Sequence, residues 1–148
     1  MQFKFTLPKQ VYILPDDKVD VGIFYEGKWS TDNITKITFD PNKKEVSFWT
    51  FTLAPHAFIA DRCLDYPYNG FRLRCVEPEV ALLDINTKRI DLRFKIGPGW
   101  VQLVDREEDE FAHITDKKLE PGMLLKELYN CGVNLLPVVD DAISANIC

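Results

Sequence analysis

Ile90-Asp91-Leu92-Arg93-Phe94-Lys95-Ile96 alternates without a break. Ile90, Leu92, Phe94 and Ile96 point one way, and Asp91, Arg93 and Lys95 the other. Period-two alternation over seven residues predicts a strand with one face in a core and one in water. Residues 71–76 follow the same rule, with Phe71, Leu73 and Cys75 opposite Arg72 and Arg74, which makes Cys75 a core position. Residues 80–85 and 90–96 are separated by Asn86-Thr87-Lys88-Arg89, a hairpin spacing. Gly97-Pro98-Gly99 breaks the sheet and residues 100–104 re-enter it.

Further upstream, 19–25 is an apolar run closed by Glu26-Gly27, and 34–39 sets Ile37 and Phe39 against Lys36 and Thr38. Asp40-Pro41-Asn42-Lys43 is a turn sequence. In 46–53, Val46 and Phe48 occupy one face and Trp49 and Phe51 the other, which predicts a strand covered on both sides. About six to eight short antiparallel strands with turns every eight to twelve residues predict a mainly β chain, an antiparallel β-sandwich. Asp105 to Glu110 is a run of five acids and one arginine, read as a solvated loop within 105–118. Pro121, the face Leu124, Leu125 and Leu128, and Gly132 predict one short helix in 119–148, packed on the sandwich formed by 1–104.

The chain has 148 residues, 46% apolar and 28% charged, the composition of one ordinary globular domain. Its net charge of −5 argues against a dedicated nucleic-acid-binding module. No apolar stretch approaches the ~20 residues that span a bilayer and no basic-then-apolar leader opens the chain, so a soluble, intracellular protein is expected. Cys63, Cys75, Cys131 and Cys148 form no C-x-x-C pair and are read as free thiols.

Catalytic chemistry has little to work with. His56 and His113 are the only histidines, and neither has a cysteine within four residues, so no metal site is expected. Both are read as partly buried aromatic fillers hydrogen-bonded to backbone. Cys63 beside Arg62 is the best-placed thiol, but one neighbouring arginine is a weak reason to expect a nucleophile. Asp84 and Asp91 could meet across the hairpin, yet acid–base work needs a pocket that separates their pKa values. Gly97-Pro98-Gly99 is a turn and no phosphate loop is present, so no cofactor is expected.

Surface features say more. If 71–76 and 90–96 share a sheet, Arg72, Arg74, Arg93 and Lys95 line its outer face, with Lys88 and Arg89 at a hairpin end. This stripe reads either as a solvated face balanced by Asp84 and Asp91 or as a docking surface for an acidic protein partner. Tyr66 and Tyr68, in Tyr66-Pro67-Tyr68-Asn69-Gly70, either join that surface or cover the end of the sandwich.

Several ordered stretches are more specific. Gly27-Lys28-Trp29-Ser30-Thr31-Asp32-Asn33-Ile34 leads into Ile37-Thr38-Phe39-Asp40. Val46-Ser47-Phe48, Asp65-Tyr66-Pro67-Tyr68 and Leu73-Arg74 follow, and then Leu124-Leu125 with Leu128 and Cys131-Gly132-Val133-Asn134-Leu135-Leu136-Pro137. In this order, over roughly residues 7–142, the chain resembles the C-terminal domain of the cancer-susceptibility-candidate family, accessory intermediate chains of axonemal inner-arm dynein. The resemblance implies a non-catalytic structural role in the axoneme of cilia and flagella. It also implies dynein intermediate or heavy chains, and tubulin, as partners. Family members carry a charged helical region ahead of this domain, which lies outside the stretch that carries the resemblance. No catalytic residues come with the resemblance. The acidic tails of tubulin suit the stripe of Arg72, Arg74, Arg93 and Lys95. Two other readings remain: a cytoplasmic adaptor that meets chaperones during dynein-arm preassembly, and a small-ligand or enzymatic pocket between two sheets.

Overall fold

The computed structural model describes residues 1–144, with the side chains of Ala142 and Ser144 left aside; Cys148 lies outside the described residues. It is mainly β, with three antiparallel sheets and one longer helix near the C-terminus. Contacts divide the chain into two compact units, one of Met1–Lys9 with Ile13–Asp61, the other of Gln10–Tyr12 with Arg62 onward. The stretch 1–104, expected as one sandwich, therefore contributes strands to both.

The first unit holds β1 (Gln2–Thr6), β2 (Val19–Tyr25), β3 (Lys28–Ser30), β4 (Ile34–Asp40), β5 (Glu45–Thr50) and β6 (His56–Ala60). Two three-stranded sheets, ordered β1-β5-β4 and β3-β2-β6, form its layers. Val46, Phe48 and Thr50 alternate inward along β5, and the register sets Phe3 opposite Phe48 and Phe5 opposite Val46. Val21 and Phe58 meet this cluster from the other sheet. Strand β5 is covered on one side only: Trp49 is 41% exposed, and Phe51, beyond the strand end, is 89% exposed. Hydrophobicity on both faces misled the reading, because among the described residues no outer layer covers Trp49 or Phe51.

The β2–β3 turn needs positive φ at both central residues, and Glu26 (52°) and Gly27 (78°) supply it. The β4–β5 turn is held by Asp40, whose Oδ1 accepts from the amides of Asn42 and Lys43 at 3.0 and 3.3 Å.

The second unit contains β7 (Gly70–Glu77), β8 (Val80–Asn86), β9 (Asp91–Gly97) and β10 (Trp100–Val104), an antiparallel meander ordered β10-β9-β8-β7. Leu92 and Phe94 from β9 and Val101 and Leu103 from β10 are buried against Phe111, Ile114, Leu124, Leu128, Cys131 and Val133. The acidic stretch 105–118 is anchored at both ends of this core. A short 3-10 turn, Asp109–Phe111, puts Phe111 inside, and Leu119 exchanges backbone bonds with Val101 at 2.8 and 2.9 Å. Acids dominate its composition, but its two buried apolar side chains, Phe111 and Ile114, determine its position.

Helix α1 (Pro121–Asn130) begins on a proline in its first turn, where a missing amide costs nothing. Leu124 and Leu128, one turn apart, form its buried stripe, worth roughly 1.5–3 kcal/mol per side chain. It ends with Gly132 at φ 87° and the Val133 amide bonded back to Leu128 O at 2.9 Å, a Schellman closure. A Cβ on Gly132 would also lie 3.3 Å from Tyr12 O. A second, shorter helix, α2 (Val139–Ser144), is capped by Asp141, which accepts from the Val138 amide at 2.8 Å. That bond, with Cys63 and Arg62 nearby, holds the Asp141 carboxyl below its ordinary range.

Candidate functional site

The outer face of the β7–β10 sheet is built by register. Arg72 stands opposite Asp84, and Asp84 opposite Arg93; one row along, Arg74 faces Leu82 and Leu82 faces Lys95. Because side chains alternate across a strand, this pairing puts Arg72, Arg74, Arg93 and Lys95 on one surface. The juxtaposition inferred from spacing alone is present.

Its charge is largely spent within the face. Arg93 Nε donates to Asp84 Oδ1 at 2.6 Å and its Nη1 to Asp105 Oδ2 at 2.7 Å. Arg74 Nη2 donates to Asp84 Oδ2 at 2.9 Å, and Lys95 Nζ lies 3.7 Å from Glu77. The hydrogen bond from Arg93, followed by that from Arg74, holds the Asp84 carboxyl below its ordinary range; the same bond from Arg93 raises the guanidinium's own pKa. Asp84 is therefore an anchor for two cations. Asp91 sits opposite Asn86 and accepts from its Nδ2 at 2.9 Å. Arg72 makes no ion pair among the described residues and borders a shallow depression of about 460 Å³. It is the cation of this face with charge to spare.

The hairpin end separates the two cations that sequence placed together. Lys88 is exposed, but the Arg89 side chain is only 5% exposed and turns inward. Its Nε and Nη2 reach the two oxygens of Asp65 at 3.0 Å each, Nη2 also donates to Gly132 O at 2.8 Å, and the guanidinium lies 5.6 Å from the Tyr12 ring. Asp65 accepts further from the Asn134 amide at 3.0 Å. Thr87 fixes the turn: its Oγ1 donates to Ile90 O at 2.8 Å and accepts from the amides of Arg89 and Ile90. Arg89 is thus a staple inside its unit, with its donors turned away from any partner. Tyr68 covers the end of the same unit, its hydroxyl donating to Leu135 O and its ring edge-on to Tyr66 at 5.5 Å. Burial, then the Asp65 charge, raises its pKa.

The remaining chemical candidates are placed as follows. His56 packs between Phe3 and Phe48, with ring centroids 5.5 and 5.0 Å away, and its buried Nε2 has no hydrogen-bond partner, so the expected backbone bond is missing there. His113 is exposed, with Nε2 3.5 Å from Glu127 and 3.9 Å from Cys131 Sγ. That trio has the residue types of a thiol triad but not the geometry. Both contacts use the same ring nitrogen, and Cys131 is fully buried. Among the described residues no three side chains of metal-ligand type converge, and no helix is long and apolar enough to cross a membrane. Cys63, Cys75 and Cys131 form no disulfide among the described residues, and Cys75 is exposed, contrary to its expected core position.

Sequence reasoning missed the reason for that exposure. The apolar face of β7 continues the core layer of β8 and β9 but runs past its cover. Phe71 is 76% and Leu73 62% exposed. Alternation identifies a strand's apolar side without telling whether a second layer reaches it.

No protein-family model matches the chain. It is similar to dynein axonemal intermediate chain 7 of Homo sapiens, 26% identical over 126 residues, and of Macaca fascicularis, 26% over 116, which cover 82% and 76% of this chain. The protein of that name from Danio rerio is 22% identical over 88% of the chain. The matches span only 16–18% of those relatives' own length. They support kinship with dynein-intermediate-chain-related proteins, without singling out a C-terminal domain within them.

Proposed function

We propose that this chain is a non-catalytic docking module of a ciliary axonemal complex associated with inner-arm dynein, equivalent to the C-terminal domain of the family it resembles. The observation that carries this reading is the similarity to dynein axonemal intermediate chain 7 over 76–88% of the chain. Its partners in this reading are dynein intermediate or heavy chains, with tubulin as a further one. The outer sheet face is the contact surface, and Arg72 and Lys88 are its leading cations.

The geometry supports a docking role of a particular kind. Arg74, Arg93 and Lys95 are held in place by Asp84, Asp105 and Glu77, so they form a stiff, nearly neutral pattern rather than a strong positive field. Such a pattern contributes specificity and orientation more than bulk affinity. Arg72→Glu and Lys88→Glu test it without breaking the Asp84 network. The double variant should co-sediment less with microtubules and dynein-containing fractions at low salt, and its residual binding should depend less on salt. Unchanged retention and an unchanged salt slope would remove this face from the reading.

A further inference from the structure

We propose that the free edge of β7 receives an extended segment of a partner protein, about six residues long, in which apolar and acidic side chains alternate. Strand β7 ends the sheet, and among the described residues no strand pairs with its outer edge. Its pairing with β8 is regular from Gly70 to Cys75 and shifts only before Glu77, leaving six residues of straight edge. An edge of that length offers unpaired backbone donors and acceptors to an added strand.

The two faces of the edge specify the occupant. On the inner face Phe71 and Leu73 are mostly exposed, next to Ile85 and Leu83 of β8, so apolar side chains at every second position of an added strand would extend the core layer. On the outer face Arg72 has no ion pair among the described residues, and Arg74, though its Nη2 is bonded to Asp84, leaves 38% of its side chain exposed. Acidic side chains at the intervening positions would meet these two arginines. A second copy of this chain is disfavoured as occupant. Antiparallel self-pairing centred on Leu73 would set Arg72 of one copy against Arg74 of the other, and like charges directly opposite are destabilising.

This inference stands on the edge of β7 and the side chains that flank it, and does not depend on which assembly holds the chain. The test uses the full chain and two fluorescein-labelled peptides of identical composition, one alternating valine with glutamate, the other with its glutamates contiguous. The alternating peptide should bind with a Kd about ten-fold lower than the shuffled one. Leu73→Lys and Arg72→Glu, both at exposed positions, should each remove that advantage while leaving the circular dichroism spectrum unchanged. Equal binding of the two peptides, or undiminished preference in Leu73→Lys, would overturn the proposal. So would a concentration-dependent dimer of the native chain that Leu73→Lys abolishes, since a second copy would then be the occupant. Leu73 lies on the opposite face from the docking cations, so Leu73→Lys reads the edge alone and Lys88→Glu the outer face alone, whereas Arg72→Glu bears on both.

Discussion

Asp65 ties together distant parts of the second unit. It accepts both forks of Arg89 and the Asn134 amide, with 1% of its side chain exposed. Removing one member of a buried pair leaves the other charged and desolvated, so Asp65→Ala should cost roughly 3–5 kcal/mol in urea unfolding. None of this was legible from the sequence, because Arg89 and Asp65 are 24 residues apart and Arg89 sits beside an exposed Lys88. Adjacency suggested a shared face, whereas the Thr87 turn sends the two side chains opposite ways. Asp84 gives a different prediction. Its folded pKa lies below the ordinary 3.8, so near and below that pH the unfolded chain binds more protons. The stability it contributes is complete above the ordinary value and is lost as pH falls through the lowered one. Urea midpoints measured from pH 6 down to 2 should therefore fall less steeply in Asp84→Asn than in the native chain. Parallel acid profiles would remove Asp84 as the source.

Strands were legible wherever residues alternate, and their surroundings were not. Val19–Tyr25 and Trp100–Val104 match the sequence reading end to end, and Pro121 and Gly132 bracket the helix as their backbone preferences require. Strands β1, β3 and β6 were missed, β3 because three residues are too few to show a period. The stretch 105–118 was read through its charge, which hid Phe111. That ring is fully buried beside the arginine of its own acidic run, 5.7 Å from the Arg106 guanidinium. Phe111→Ala should cost about 3–5 kcal/mol, and amide exchange should rise first in β10 and residues 115–119, which pair with each other. A loss under 1 kcal/mol would mean that the stretch is held by its ion pairs instead.

At the scale of the whole molecule, fold class and kinship were the readable properties. Mainly β architecture follows from alternation, and the ordered motifs point to the same dynein-related proteins as the comparisons do. The division into two compact units was not visible, because strands of both units share one grammar and no change of composition marks residues 61 and 62. Cross-linking mass spectrometry on native axonemes is the direct test of whether the chain resides in an axonemal assembly. Lys88 and Lys95, on the hairpin end and the outer face, provide the reactive amines. A resident docking module should show cross-links from these lysines to dynein chains or tubulin that survive a salt wash. Recovery of the chain only from cytoplasm, linked to chaperones or unassembled dynein, would contradict it and favour a preassembly adaptor.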